Sequence, residues 1–115
     1  MLDYIHKMSE RQFKGCTGYS RAEFAKLLED FTKTFEEEYK VSYKRYITEY
    51  LNETIQVKLP DLFTCLFFVL YKYKTDLTYD AYGLVFSMAG STACENFKRY
   101  SLLLEKTLKK RANLP

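Results

Sequence analysis

The sequence predicts an all-α fold, a compact bundle of five or six helices. Three observations carry that expectation. Only four glycines and two prolines occur in 115 residues, whereas an all-β domain needs many turn residues. Apolar side chains recur at helical spacings over long stretches. One segment, LFTCLFFVLYKY at 62–73, is apolar nearly all round, as a helix covered on every side must be. With 47% hydrophobic and 29% charged residues, the balance is that of a folded globular chain. Residues 1–115 read as a single helical domain.

The elements follow in order. Leu2, Ile5 and Met8 or Ser9 give helical spacing to a short helix over 2–13, which Gly15 and Gly18 then break. Ser20-Arg21-Ala22-Glu23 is a capping box, the serine hydroxyl accepting from the Glu23 N–H while the carboxylate reaches back. Phe24, Leu27, Leu28, Phe31, Phe35 and Tyr39 continue as one apolar stripe. Tyr43, Tyr46, Ile47, Tyr50 and Leu51 form a second, and periodicity allows either one helix to about Leu51 or two with a bend near Lys40–Ser42. Residues 52–59 read as a connection, partly extended at Ile55 and Val57. Pro60 suits a first helical turn, where no backbone donor is needed. Thr78 is an N-cap for a short helix over 79–86. Gly90 and Ser91 then end a tight turn, with Ser91 as the cap of a last helix reaching about Arg111.

Composition excludes several functional classes. Cys16, Cys65 and Cys94 are odd in number, widely spaced and without a C-x-x-C pair. A lone His6 completes no zinc set with them, so they read as free thiols in a reducing cytosol. The longest apolar run, Cys65–Tyr71, is seven residues, far short of a membrane span. The N-terminus lacks the apolar core of a secretion signal. These points predict a cytoplasmic protein with no metal, cofactor or small-molecule substrate. Glu36-Glu37-Glu38 reads as a solvated charge cluster rather than a metal site. Net charge is +3, and its distribution is uneven. Residues 92–115 hold six basic side chains against Glu95 and Glu105, leaving residues 1–91 slightly negative.

A buried helix, a short helix and a tight turn into a polar-faced helix over approximately 60–111 form the layout of a helix-turn-helix. Small residues (Ser87, Ala89, Gly90) sit where two helices must approach closely. Ala93, Phe97, Tyr100 and Leu104 share a narrow arc suited to the core, leaving Ser91, Glu95 and Lys98 opposite with Thr92 and Arg99 beside them. Any all-α domain contains such a unit, so the pattern alone does not separate DNA binding from plain helical packing.

The stretch Phe86-Ser87-Met88-Ala89-Gly90-Ser91-Thr92-Ala93-Cys94-Glu95-Asn96-Phe97 resembles the F-G-M-S-x-S-x-A-C-E-N stretch of DDE-superfamily insertion-sequence transposases. Leu59-Pro60-Asp61 and Thr78-Tyr79-Asp80 are similar to that family's segments flanking the helix before the turn. Arg11-Gln12-Phe13-Lys14, Thr17-Gly18-Tyr19-Ser20 and Glu23-Phe24 resemble its N-terminal blocks. Leu102–Leu108 and Leu114-Pro115 resemble the lead into its catalytic domain. The local departures are Ser87 where the family has glycine, with Gly90 as the candidate replacement, and Ala89 where it has serine.

The resemblance implies an N-terminal helix-turn-helix domain of a transposase, associated with the nucleoid and binding duplex DNA at a transposon end. It also implies that the three metal-binding carboxylates of DDE chemistry would lie after Pro115, so these residues are expected to be non-catalytic. Ser91, Thr92 and Glu95 are the candidate base-edge or groove positions, and Lys98, Arg99 and Lys106 the candidate phosphate contacts. Tyr79 is a further candidate phosphate contact. The tail Lys106, Lys109, Lys110 and Arg111 reads equally as a phosphate stripe or as cations favoured at a helix C-terminus. Binding by a domain of such low charge is expected to be weak and to fall steeply with salt. The rival reading is a protein-interaction module, a homodimer or a contact with parent transposase subunits, through the Tyr-rich 39–51 segment.

Overall fold

In a computed structural model, which describes residues 2–49 and 58–113, the chain is helical throughout. Among the described residues there are seven helices and no strand. The helices are α1 (Leu2–Ile5), α2 (Glu10–Thr17), α3 (Arg21–Tyr39), α4 (Tyr43–Glu49), α5 (Leu62–Thr75), α6 (Tyr79–Val85) and α7 (Gly90–Ala112). None of them is long and apolar enough to cross a membrane. The expected connection over 52–57, and the side chains of Tyr50 and Leu51, lie outside the described residues.

Local chemistry explains why the helices outnumber the five or six expected. The first stretch is two helices, because Ser9 and Gln12 form a capping box of their own that starts α2 at Glu10. Gly15 lies inside α2. Gly18 alone ends it, at φ 81°, the left-handed conformation that glycine adopts without steric cost. The box at Ser20 starts α3 with both of its hydrogen bonds, Ser20 N to Glu23 Oε1 at 2.9 Å and Glu23 N to Ser20 Oγ at 3.1 Å. Arg21 then ties α3 back to the N-terminus, donating to the carbonyls of Ile5 and Met8 at 2.9 Å each with its guanidinium over the Phe13 ring.

The two tyrosine-bearing stripes are separate helices. Lys40 turns left-handed at φ 63°, and Ser42 caps α4 by accepting from Arg45 N at 3.3 Å. Asp61 caps α5, its carboxylate accepting from the backbone N–H and hydroxyl of Thr64 at 2.8 and 2.7 Å. Pro60 therefore stands one residue before the cap rather than in the first turn. The expected central helix is α5, with Leu62 and every residue from Thr64 to Leu70 buried.

A single apolar cluster takes residues from all seven helices, from Ile5 on α1 to Leu104 on α7. Its rings interlock edge to face, Phe13 on Phe24 with centroids 5.0 Å apart and Phe68 on Phe86 at 4.8 Å, a geometry that adds to simple burial. Buried hydroxyls find partners. The Tyr82 hydroxyl donates to the Phe68 carbonyl. The Tyr43 hydroxyl donates to the Leu59 carbonyl at 2.7 Å, accepts from the Cys65 thiol at 3.3 Å and lies 3.3 Å from the Tyr100 hydroxyl. Burial pushes the Cys65 thiol up to about 12, so it stays protonated and serves as a donor.

Removing the Tyr43 hydroxyl strands the Leu59 carbonyl inside the protein. Tyr43→Phe is expected to lower the unfolding free energy by about 1–3 kcal/mol, read from the midpoint of urea denaturation. An unchanged midpoint would mean that this hydroxyl contributes nothing to the core.

Candidate nucleic-acid interface

The turn joining α6 to α7 depends on two glycines and one strained serine. Gly83 is buried, and its carbonyl accepts from both Phe86 N at 3.1 Å and Met88 N at 2.9 Å. A Cβ at Gly83 would stand 2.4 Å from the Met88 carbonyl oxygen, so the chain folds back this tightly only over a glycine. Ser87 then adopts φ 59°, which costs an L-residue about 1–2 kcal/mol. A glycine adopts this left-handed backbone without steric cost, and here a serine carries it.

Two expectations about this turn are corrected. Ser91 does not cap α7. Extended Ala89 is the N-cap, with no side-chain hydrogen bond, and Ser91 lies exposed within the first turn. Gly90 does not take over the turn glycine, because the left-handed residue is Ser87. What Gly90 provides is close approach, since a Cβ there would stand 2.2 Å from Asp80 Oδ1 and 3.2 Å from Asp80 Cα on α6.

Helix α7 is anchored by Ala93, Asn96, Tyr100, Leu103, Leu104 and Thr107, all buried. Phe97 is half-buried, packed against the rings of Tyr73, Tyr79 and Tyr82. Asn96 was missed in the sequence. Its amide nitrogen donates to Met88 Sδ at 3.7 Å and its carbonyl oxygen accepts from Arg99 Nη1 at 3.2 Å. The available signal was a polar residue between Ala93 and Tyr100 on the core-facing arc.

Ser91, Glu95 and Lys98 form an exposed row at spacings of four and three, as expected, and Leu102 extends it at 53% exposure. Thr92 is half-buried beside them. The other candidates are placed differently. Tyr79 packs half-buried against α7, with Lys72 5.1 Å above its ring. Burial, then the neighbouring Cys94 thiol, pushes its hydroxyl above the ordinary value. Arg99 turns towards the core rather than outward, held by Asn96 and lying 5.8 Å from the Tyr100 ring. Lys106 is paired with Glu38 at 3.1 Å.

The basic tail has a use that neither sequence reading anticipated. Lys106, Lys110 and Arg111 pair with Glu38, Glu37 and Asp30 of α3, and Lys109 pairs with Glu105 within α7. The numbering falls along α7 as it rises along α3, so the two helices run antiparallel along this seam. Glu37 and Glu38 are exposed but are not free charges. Hydrogen bonding and charge from Lys110 hold the Glu37 carboxyl below its usual range. That contribution is present above the ordinary carboxylate pKa and is lost as the pH falls through the lowered value. Exposed pairs of this kind contribute little to stability, so their larger effect is to occupy four of the six basic groups of the C-terminal segment. Among the described residues, no cluster of three or more His, Cys, Asp or Glu side chains is arranged to hold a metal ion.

Set against known protein families, curated proteins and solved structures, the chain matches none.

The turn yields opposite expectations for its two key positions. Ser87→Gly relieves the left-handed strain and is expected to raise stability by about 1 kcal/mol, offset in part by unfolded-state entropy. Gly83→Ala forces the turn apart and is expected to cost about 1–3 kcal/mol. Thermal and urea unfolding of the two variants check both signs, and a destabilised Ser87→Gly would contradict the assigned turn geometry.

Proposed function

We propose that this chain binds duplex DNA through α6 and α7, as the DNA-binding part of a transposase-like protein, and performs no chemistry itself. The observation that supports this best is the exposed Ser91–Glu95–Lys98 row. It occupies the first half of a helix entered through the four-residue turn 86–89, where a helix-turn-helix presents its groove-reading side chains. In this reading Ser91 and Thr92 reach base edges, Glu95 accepts from a cytosine amino group, and Lys98 meets a phosphate. The ordered blocks of transposase resemblance direct the proposal to a transposon end and, within a cell, to the nucleoid.

The ion pairs change the expected salt response. With Lys106, Lys109, Lys110 and Arg111 engaged by carboxylates, only Lys98 and Arg99 of the C-terminal segment's cations are left to meet phosphates. The log–log salt slope is then about −2, shallow rather than steep.

The Tyr-rich alternative fares differently. Tyr43 is buried, Tyr39 stacks on Phe35 with centroids 4.4 Å apart, and Tyr46 meets Phe35 edge to face. These rings are already used within the chain, so the observations favour the DNA reading over a dimer built on residues 39–51.

Electrophoretic shift of duplex DNA at low salt tests the proposal. Binding should be lost in Lys98→Glu and altered in sequence preference by Glu95→Gln, with sedimentation showing a monomer. No shift by the parent chain at low salt, together with a concentration-dependent dimer, would overturn it in favour of the interaction module.

A further inference from the structure

Arg99 occupies an unusual position among the cations of α7. Each basic residue from Lys106 onwards has a carboxylate partner, and Lys98 projects into solvent. Arg99 is half-buried, and among the described residues no carboxylate pairs with it. The groups it meets are neutral: the Asn96 amide oxygen at 3.2 Å, the Tyr100 hydroxyl, and the nearby rings of Tyr39 on α3 and Tyr46 on α4. Withdrawing a charge from water without an opposite charge is costly, and the tyrosine contacts outweigh that cost and keep the guanidinium charged, leaving a half-buried cation with no counter-ion.

Beside this guanidinium is an open recess between the end of α3 and the middle of α7. It has a volume of about 160 Å³ and is lined by Glu38, Tyr39, Arg99, Leu102, Leu103 and Lys106, room for several waters or one tetrahedral anion. The lining carries two positive charges and one negative. The Lys106–Glu38 pair cancels within itself, so the net charge is that of Arg99. A planar guanidinium with free N–H groups fits two oxygens of a phosphate at once.

We propose that this recess is a binding site for a single phosphate group. Arg99 is its principal donor, and Lys106 contributes when a phosphate oxygen displaces the Glu38 carboxylate. The group can come from a free phosphate or from the DNA backbone. Only the second source rests on the DNA-binding reading above.

Inorganic phosphate is the probe, titrated into ¹⁵N-labelled protein at constant ionic strength with chloride as the control. The Arg99 Nε–H resonance and the backbone amides of Tyr39 and Lys106 should shift saturably with phosphate and not with chloride. Arg99→Gln should abolish that response. Glu38→Gln removes a like charge from the lining at an exposed position, and should tighten phosphate binding by roughly threefold or more. If Arg99→Gln also lowers the DNA salt slope by about one, the ligand is a backbone phosphate. If DNA binding is unchanged or absent while phosphate still binds, the site serves a free phosphate group. A non-saturable response, or a saturable one that survives Arg99→Gln, overturns the proposal whatever the DNA assay shows. Should Arg99→Gln fail to fold by circular dichroism, Glu38→Gln decides: no gain in phosphate affinity overturns it.

Discussion

The rest of the architecture answers one constraint, which is that α5 has no face that tolerates water over Thr64–Leu70. From Thr64 to Leu70 every side chain is buried, so a two-helix hairpin could not shelter it. Helices α2, α3 and α7 all pack on it, and the Tyr82 hydroxyl of α6 reaches its Phe68 carbonyl. The polar groups this brings inside are matched by partners, with no unpartnered buried side-chain nitrogen or oxygen among the described residues. The tight α6–α7 turn is part of the same solution. Glycines at 83 and 90 let α6 and α7 approach closely enough for Tyr82 and Ala93 both to reach the core.

Two kinds of polar contact hold α7, and they divide it into differently anchored halves. Its first half is held by the turn, through the Asn96–Met88 hydrogen bond, and leaves a polar row exposed. Its second half is held by the ion-pair seam with α3. Between them lies Arg99, bonded to the same Asn96 that steadies the turn. The candidate groove-facing row and the phosphate recess therefore share a support, and a change at Asn96 would disturb both.

Much of the fold was legible in the sequence because the signals are local. Ser20 and Glu23 announce a helix start within four residues, and the first part of α5, over 62–70, announces its burial by being apolar nearly all round. The split of the first helix at Ser9 was equally local, since Ser9 and Gln12 have the spacing of a capping box, but Gly15 and Gly18 looked like the stronger punctuation. Gly15 meets nothing within 4 Å and sits in α2 without consequence. For the candidate site, the exposed row at 91, 95 and 98 followed from helical period alone. What periodicity could not supply was the partner across the bundle. Nothing near Lys106, Lys110 or Arg111 in the sequence points to Glu38, Glu37 or Asp30, and nothing near Arg99 points to Tyr39 and Tyr46. Charge counted along the chain therefore overstated the cations free for a ligand.

The seam between α3 and α7 also has a consequence for how the chain acquires its structure. Two of its pairs join residues 68 and 73 positions apart, and the Tyr43–Tyr100 contact spans 57. Individual helices and the capped turns near the N-terminus need only neighbouring residues and form quickly, whereas closing α7 onto α3 bears the entropy of a long loop. During synthesis, α5 emerges before the helix that completes its cover. Until residues 90–112 arrive, the most apolar segment of the protein is open to solvent and to other nascent chains. That interval is when this protein is most exposed to aggregation.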